Sequence, residues 1–198
     1  MDAGDYRRAS LLLRRPTSLG WLGTEIAVSA SVDAIRSQGF ARSIGRATFD
    51  VDVQRPVGRD RLVLRTIATG AAGSAVPRQY EAFLGGPVTA PGMQFHTLRG
   101  RAGVSQRIEW QHSVPGPTIP LGRYGTVPGQ IVLAPFASLA WTDGRSASNS
   151  GSVRGWYPSV GLGSIGLFNL LRADVARGLR DGRWMFSIDV TRDFWRIL

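Results

Sequence analysis

The sequence predicts an all-β protein built from long antiparallel strands. Apolar and polar residues alternate with a period of two through most of the 198 residues, which is typical of strands with one apolar and one polar face. Many alternating segments reach ten residues or more, whereas strands of soluble sheets usually have about five or six. No segment approaches the roughly 20 apolar residues of a membrane helix. Together these observations predict a transmembrane β-barrel of the outer-membrane type, whose tilted strands need about nine to eleven residues.

Nine strands follow from this pattern when it is read in chain order. In the third and clearest strand, Phe49 and Val51 fall on the apolar face and Thr48, Asp50 and Asp52 on the polar face. The fourth and sixth strands are more uniformly apolar, and the first is rich in arginine. A soluble β-sandwich also alternates, but the strand lengths and the bulk of the aromatic residues favour the barrel. The predicted strands are residues 5–15, 22–36, 41–54, 60–70, 103–114, 129–142, 156–166, 169–178 and 182–191.

The connections divide into short turns and long loops, as in outer-membrane barrels. The two long loops, residues 71–102 and 143–155, are rich in Gly, Ser and Pro and fall at the same end of the strands. We expect that end to be extracellular. Residues 115–128 form a connection that is long for the opposite end. Short turns are predicted at residues 37–40, 55–58 and 166–169.

The odd number of strands predicts that residues 1–198 are the C-terminal part of a larger barrel domain. Single-chain bacterial barrels have an even number of strands and both ends in the periplasm. A periplasmic C-terminus would place the start of a nine-stranded chain outside. The residues after Met1 also lack the basic segment and apolar run of a secretory signal. We therefore expect further strands and periplasmic domains upstream of this chain.

Composition argues against several other classes of function. The net charge is +10 and all 24 basic residues are arginine, but they are spread over strands and loops, so we expect no nucleic-acid partner. The absence of cysteine excludes thiolate metal sites, a cysteine nucleophile and disulfides. His96 and His112 are too few and too far apart to suggest a metal site, and neither a nucleophile elbow nor a phosphate-binding loop is present. We therefore predict no catalytic residues, no metal and no cofactor, and hence no enzyme.

A glycine pair and a short motif lie in the long loop at 71–102. The pair is Gly85-Gly86, the motif is Leu98-Arg99-Gly100, and a strand follows directly. With an aromatic-rich final strand, this order resembles the bacterial surface-antigen family, the BamA- and TamA-like assembly factors and two-partner-secretion transporters. The resemblance covers the whole chain and implies strands eight to sixteen of a sixteen-stranded barrel. It also implies that residues 71–102 fold back into the lumen.

The resemblance implies that Arg99 fixes the loop inside the lumen. Its planar five-donor fork suits a charge-assisted bond to a carboxylate. In the family, the acidic partner follows a Phe by two residues, but here the segment is Phe136-Ala137-Ser138, so the carboxylate is absent. Residues 87–98 also separate the glycine pair from Arg99 by more than is usual. The candidate lumenal partners of Arg99 are Glu109, Ser138, Asp174 and Asp189.

The final strand resembles the C-terminal signal by which the assembly machinery recognises its clients. Apolar residues alternate and end in aromatic side chains, which also suit a membrane-interface girdle. Unlike the family, this chain continues with Arg196-Ile197-Leu198 after the last aromatic residue. The residues that carry the signal are Trp184, Phe186, Ile188, Val190, Phe194 and Trp195.

The expected function is assistance to the insertion or translocation of other proteins at the bacterial outer membrane. The implied partners are outer-membrane lipid, client outer-membrane or secreted proteins, and periplasmic assembly partners that bind the upstream domains. Unpaired edge strands would serve a client by β-augmentation. The alternative is a barrel that acts only as the membrane anchor or secretion pore for an upstream passenger or enzymatic domain.

Overall fold

The computed structural model describes residues 6–19, 23–37, 42–73, 76–120, 122–127, 129–144, 154–166 and 170–190. Its strands are β1 (Tyr6–Leu19), β2 (Thr24–Ser37), β3 (Arg42–Val57), β4 (Asp60–Ala72), β5 (Ala82–Leu84), β6 (Leu98–Gly100), β7 (Ala102–Pro115), β8 (Ile119–Pro120), β9 (Thr126–Val127), β10 (Gln130–Thr142), β11 (Gly155–Gly166), β12 (Leu171–Gly178) and β13 (Trp184–Val190). In the described residues, helical turns are confined to α1 (Gly86–Thr89) and two 3-10 helices, Arg78–Tyr80 and Gly122–Tyr124. Among the described residues, no helix is both long enough and apolar enough to cross a membrane.

Nine long strands form one antiparallel sheet in the order β1-β2-β3-β4-β7-β10-β11-β12-β13. Each predicted strand corresponds to one strand of this sheet, so the prediction of an all-β antiparallel fold is confirmed. Two short hairpins, β5–β6 and β8–β9, lie within the connections before and after β7. Within the described ranges, β1 pairs only with β2 and β13 only with β12, so the sheet has two edges there.

The short turn predicted at residues 55–58 is present but lies later in the chain, because β3 continues to Val57. Val57 pairs with Asp60, and only Gly58 and Arg59 lie between them. Gly58 makes this tight connection with φ +63°, a conformation that glycine adopts without a steric penalty. Pro56 suggested a turn, but it lies near the end of the β3–β4 ladder, where a missing N–H costs little.

A second proline interrupts the middle of the sheet. Pro135 of β10 has no N–H, and the β7–β10 pairing is broken at this point, between the pairs Leu133↔His112 and Phe136↔Glu109. The register is the same on both sides of the gap. The interruption therefore leaves the alternation of faces intact, and Pro135 itself lies on the exposed side.

The two faces of the sheet have the reverse polarity of a soluble protein. Large apolar side chains are exposed on one face, and Phe186 and Ile188 reach 64% and 67% exposure. Charged and polar side chains are buried on the other face, where Glu109 and Asp174 are 4% and 3% exposed. The assignment of residues to the two faces in β7 and β12 agrees with the sequence alternation. The exposed apolar face carries Val32, Phe49, Ile108, Trp110, Leu133, Leu139, Trp156, Val160, Leu162, Leu171, Val175, Trp184, Phe186, Ile188 and Val190.

The sheet is curved so that its polar face is concave. Arg172 of β12 bonds Glu109 of β7 at 2.7 Å, although β10 and β11 lie between them. In a flat sheet, three strand spacings amount to about 14 Å. The curvature therefore brings side chains of distant strands together. A small apolar core also lies on this face, formed by Leu84, Ala90, Leu98, Ala140 and Tyr157.

Candidate functional site: the loop on the concave face

The connection between β4 and β7 packs onto the concave polar face. The Arg107 guanidinium donates from Nη1 to the carbonyl oxygen of Pro87 at 2.7 Å, and the Ser105 hydroxyl donates to the carbonyl oxygen of Thr89. Farther along the loop, Gly92 approaches the backbone of Gly178 so closely that a Cβ would lie 2.5 Å from its nitrogen. The loop thus contacts the sheet from β7 to β12. We call residues 76–101 the inner loop.

The β5–β6 hairpin brings the glycine pair next to the Leu98-Arg99-Gly100 motif. Leu84 pairs with Leu98 and Phe83 with Arg99, which brings the two segments together although they are far apart in sequence. We call the residues between these two strands, 85–97, the tip of the inner loop. Gly85 and Gly86 have φ values of +126° and +77°. A Cβ on Gly85 would overlap the carbonyl oxygen of Gln94. Both positions therefore require glycine for conformation and space.

The motif is buried and bonded to the sheet through its backbone. Leu98 is 2% exposed and packs in the apolar core. The carbonyl oxygen of Arg99 accepts a hydrogen bond of 3.0 Å from the Thr142 hydroxyl. Gly100 leaves no room for a side chain, because a Cβ would overlap Thr142 and Asp143. Burial thus accounts for Leu98 and lack of space for Gly100, whereas the described bond of Arg99 involves only its backbone.

Asp143 fixes the end of the inner loop and was missed in the sequence. Its Oδ1 accepts hydrogen bonds from the backbone nitrogens of Arg101 and Ala102, at 2.9 and 3.3 Å. Asp143 directly follows β10, so the two long loops meet at the same end of the sheet. The sequence shows only an Asp directly after a strand, and its bonds to backbone 41 and 42 residues earlier depend on the folded sheet.

Four charged residues of alternating sign form a ring on the concave face, which we call the charge ring: Arg107 and Glu109 of β7, and Arg172 and Asp174 of β12. Arg172 forms a bidentate contact to Glu109 at 2.9 and 2.7 Å, and its Nε lies 2.9 Å from Asp174. Arg107 donates from Nε to Glu109 at 3.1 Å, and its Nη2 lies 3.5 Å from Asp174. The ring is electrically neutral, as buried charges require.

The charge ring rests on an aromatic ring and two glycines. The Arg107 guanidinium lies 3.7 Å above the centre of the Phe136 ring, a cation–π arrangement. Phe136 in turn covers Gly161, where a Cβ would overlap the aromatic ring. At Gly163, a Cβ would lie 2.7 Å from Nη2 of Arg172. The missing side chains on β11 therefore let the two arginines reach across the sheet.

The predicted partners of Arg99 form hydrogen bonds and ion pairs with residues other than Arg99. Glu109 and Asp174 belong to the charge ring, and the Ser138 hydroxyl is bonded to Ser159 at 2.6 Å. Asp189 lies on the wall of a neighbouring cavity. An Arg99 latch through a side-chain carboxylate therefore stays a prediction. The roles of Arg107 and Arg172 were missed, because nothing in the sequence shows that β7 and β12 approach each other.

Four of the six residues of the predicted C-terminal signal lie within the described part of the chain. Trp184, Phe186, Ile188 and Val190 lie on the exposed face of β13. Phe194 and Trp195 lie outside the described residues.

A cavity of about 570 Å³ lies beside the charge ring and under the tip of the inner loop. Side chains from both margins of the sheet line it, which again reflects the curvature. Across the described ranges, no group of three or more His, Asp or Glu side chains is placed to hold a metal ion. The lining includes Ser29, Asp50, Asp52, Gln54, Arg61, Arg65, Pro87, Val88, Arg107, Glu109, Gln111, Arg172, Asp174 and Asp189.

Comparison with known proteins does not assign a family. No family model matches the sequence, and no curated protein is significantly similar to it. The resemblance to the surface-antigen family therefore rests on the loop motif, the strand order and the final strand.

Proposed function

We propose that this chain forms part of an outer-membrane β-barrel of the surface-antigen type, which assists the insertion or translocation of other proteins. The observation that carries the proposal is the reversed polarity of the sheet. Exposed Trp156, Phe186 and Ile188 on one face suit lipid, and buried Arg107 and Glu109 on the other suit an enclosed polar interior. A soluble sheet would bury the apolar face instead.

The inner loop supports the surface-antigen type over a simple barrel. It carries the Gly85-Gly86 pair and the Leu98-Arg99-Gly100 motif, and it lies against the concave face. The Thr142 hydroxyl donates to the loop backbone and the Asp143 carboxylate accepts from it, which secures the end of the loop. In a closed barrel, such a loop occupies the interior. The sixteen-stranded size and the place of this chain at strands eight to sixteen belong to the same proposal.

The mechanism requires no cofactor. Exposed backbone N–H and C=O groups at an edge strand template a new strand from a client. In the described part of the sheet, β1 and β13 each have one free edge. The apolar face of β13 would present Phe186 and Ile188 to lipid while a client strand pairs beside it.

Fractionation of cells that express the complete parent gene tests the location. The proposal expects the protein in the outer-membrane fraction, with release by detergent but not by salt. Recovery in the soluble fraction without detergent would refute it.

Depletion of the protein tests the activity. The proposal expects reduced assembly or export of other outer-membrane or secreted proteins, measured by their heat-modifiable migration in gels. Normal assembly in depleted cells, with the protein in the outer membrane, would leave the anchor or pore as its function.

A further inference from the structure

Arg107 is the described side chain that joins the charge ring to the inner loop. We infer that Arg107 holds the tip of the loop against the sheet, and that Glu109, Arg172 and Asp174 position its guanidinium for this task. The inference deepens the proposed function, on which it rests for its consequence. It assigns to a strand arginine the holding role that the sequence motif suggested for Arg99.

The guanidinium of Arg107 makes contacts in three directions. Nη1 donates to the Pro87 carbonyl oxygen at 2.7 Å, Nε donates to Glu109 at 3.1 Å, and the flat side stacks on Phe136. The Arg107 side chain is 10% exposed. A planar group held on its edge and its face has little freedom to turn, so its Nη1 donor is held in the direction of Pro87.

The other members of the charge ring act on Arg107 and on one another. Glu109 accepts from Arg107, from both terminal nitrogens of Arg172 and from the Gln111 amide. Arg172 also bonds Asp174 through Nε. These side chains therefore fix the position of the guanidinium, and the carboxylates balance its charge. They are positioning residues for a contact that Arg107 makes.

The place of Pro87 gives the contact its consequence. Pro87 and Val88 border the cavity beside the ring, and Ala90, at the other end of α1, is 1% exposed in the apolar core. Lifting the tip would uncover Ala90 and enlarge the cavity. Loop position and cavity size are therefore coupled through the Arg107–Pro87 bond.

Cysteine labelling tests the inference, because the chain has no cysteine of its own. Ala90→Cys places a thiol that a water-soluble maleimide reaches only when the tip is lifted. The labelling rate is measured on the folded full-length protein in lipid vesicles, in the Ala90→Cys background. The test variants are Arg107→Gln, Arg107→Lys and the double variant Arg107→Gln/Glu109→Gln, which removes one charge of each sign. Arg61→Gln is the matched control, since Arg61 shares the concave face but bonds Gln54 at 3.4 Å.

We expect labelling at least about tenfold faster in Arg107→Gln and in the double variant, since hydrogen bonds to charged groups typically shift an equilibrium by that factor or more. Arg107→Lys should also label faster, because an ammonium cannot reproduce the fork. Arg61→Gln should label at the parent rate. Parent-like labelling of the folded double variant would overturn the inference, and parent-like labelling of Arg107→Lys would overturn the role of the fork.

The labelling result and the proposed function fail separately. Folding of every variant is checked by far-UV circular dichroism and heat-modifiable migration. Faster labelling with normal client assembly would support the holding role of Arg107 and show that assembly does not depend on the position of the tip, whereas the depletion experiment decides the proposed function. An assembly defect without faster labelling would contradict the holding role of Arg107 and agree with the proposed function.

Discussion

Replacing Gly163 of β11 by alanine places a methyl group against the guanidinium of Arg172, which comes from β12. The added Cβ would lie 2.7 Å from Nη2 of Arg172 and would overlap Oδ1 of Asp174. The backbone of Gly163 is not left-handed, so the effect is steric and not conformational. Gly166 on the same strand is the matched control, because nothing lies within 4 Å of a Cβ there.

The expected cost of Gly163→Ala in free energy of unfolding is about 2–3 kcal/mol. An extra methyl group in a filled site costs about 1–3 kcal/mol, and a displaced Arg172 loses part of its contact to Glu109, where a charged hydrogen bond contributes about 1.5–3 kcal/mol. Alanine also reduces the conformational freedom of the unfolded chain, which stabilises the folded state by about 0.4–1 kcal/mol. Gly166→Ala keeps only this last effect and should be neutral or slightly stabilising.

Urea unfolding of the protein in lipid vesicles, followed by far-UV circular dichroism, measures both changes. In an Arg172→Gln background, Gly163→Ala should cost clearly less, because the shorter side chain leaves room for the methyl group. Equal unfolding free energies for Gly163→Ala and Gly166→Ala would refute the packing of Arg172 on this glycine. An unchanged cost in the Arg172→Gln background would show that the overlap with Oδ1 of Asp174, and not the contact with Arg172, determines the cost.

Three further predictions concern the exposed apolar face, the charge ring and the loop motif. Phe49→Arg should cost about 2–4 kcal/mol of unfolding free energy near the bilayer midplane, and Thr48→Arg on the opposite face much less; equal losses in urea unfolding would mean that the faces are reversed. Glu109→Gln should lower the free energy of unfolding by about 3–5 kcal/mol in the same assay, because it leaves two buried arginines with one carboxylate. A change below about 1 kcal/mol would contradict the coupling of the four charges. Arg99→Ala should raise external proteolysis of residues 71–102 about tenfold or more and reduce client assembly, with poor rescue by Arg99→Lys; unchanged cleavage and assembly would make Arg99 an ordinary loop residue.

The strands and their faces could be predicted because they depend on local periodicity. Alternation of Phe49 and Val51 with Asp50 and Asp52 requires no knowledge of neighbouring strands. The end of β3 was misplaced for the same local reason, since Pro56 indicates a turn in isolation. Its position at the end of a ladder, where the missing N–H is harmless, depends on the partner strand β4.

The charge ring could not be predicted, because it depends on curvature. The spacing of two residues puts the members of each pair, Arg107/Glu109 and Arg172/Asp174, on the same face of their strand. Their meeting requires the sheet to bend across β10 and β11, which in turn requires small residues on β11. Gly161 and Gly163 are visible in the sequence of β11, but the groups that they accommodate come from other strands.

The inner loop was partly predictable. The glycine pair and the Leu98-Arg99-Gly100 motif were both recognised, yet the residues between them obscured their relation. The β5–β6 hairpin joins them through the pair Leu84↔Leu98, a contact between two three-residue strands that alternation does not reveal. The hairpin β8–β9 in the proline-rich connection was missed because each of its strands has only two residues.

The net charge of +10 does not reside in the cavity on the concave face. Four arginines line that cavity together with five carboxylates, so the excess of positive charge lies elsewhere on the chain. An interior of balanced charge exerts no strong attraction on a partner of one sign. Closely spaced opposite charges favour defined contacts instead, because each arginine is directed by a neighbouring carboxylate. The hydrogen bond from Arg107 to the Pro87 carbonyl oxygen is an example. Because the surrounding charges nearly cancel, the direction of this bond, and not a general attraction, determines where the inner loop binds.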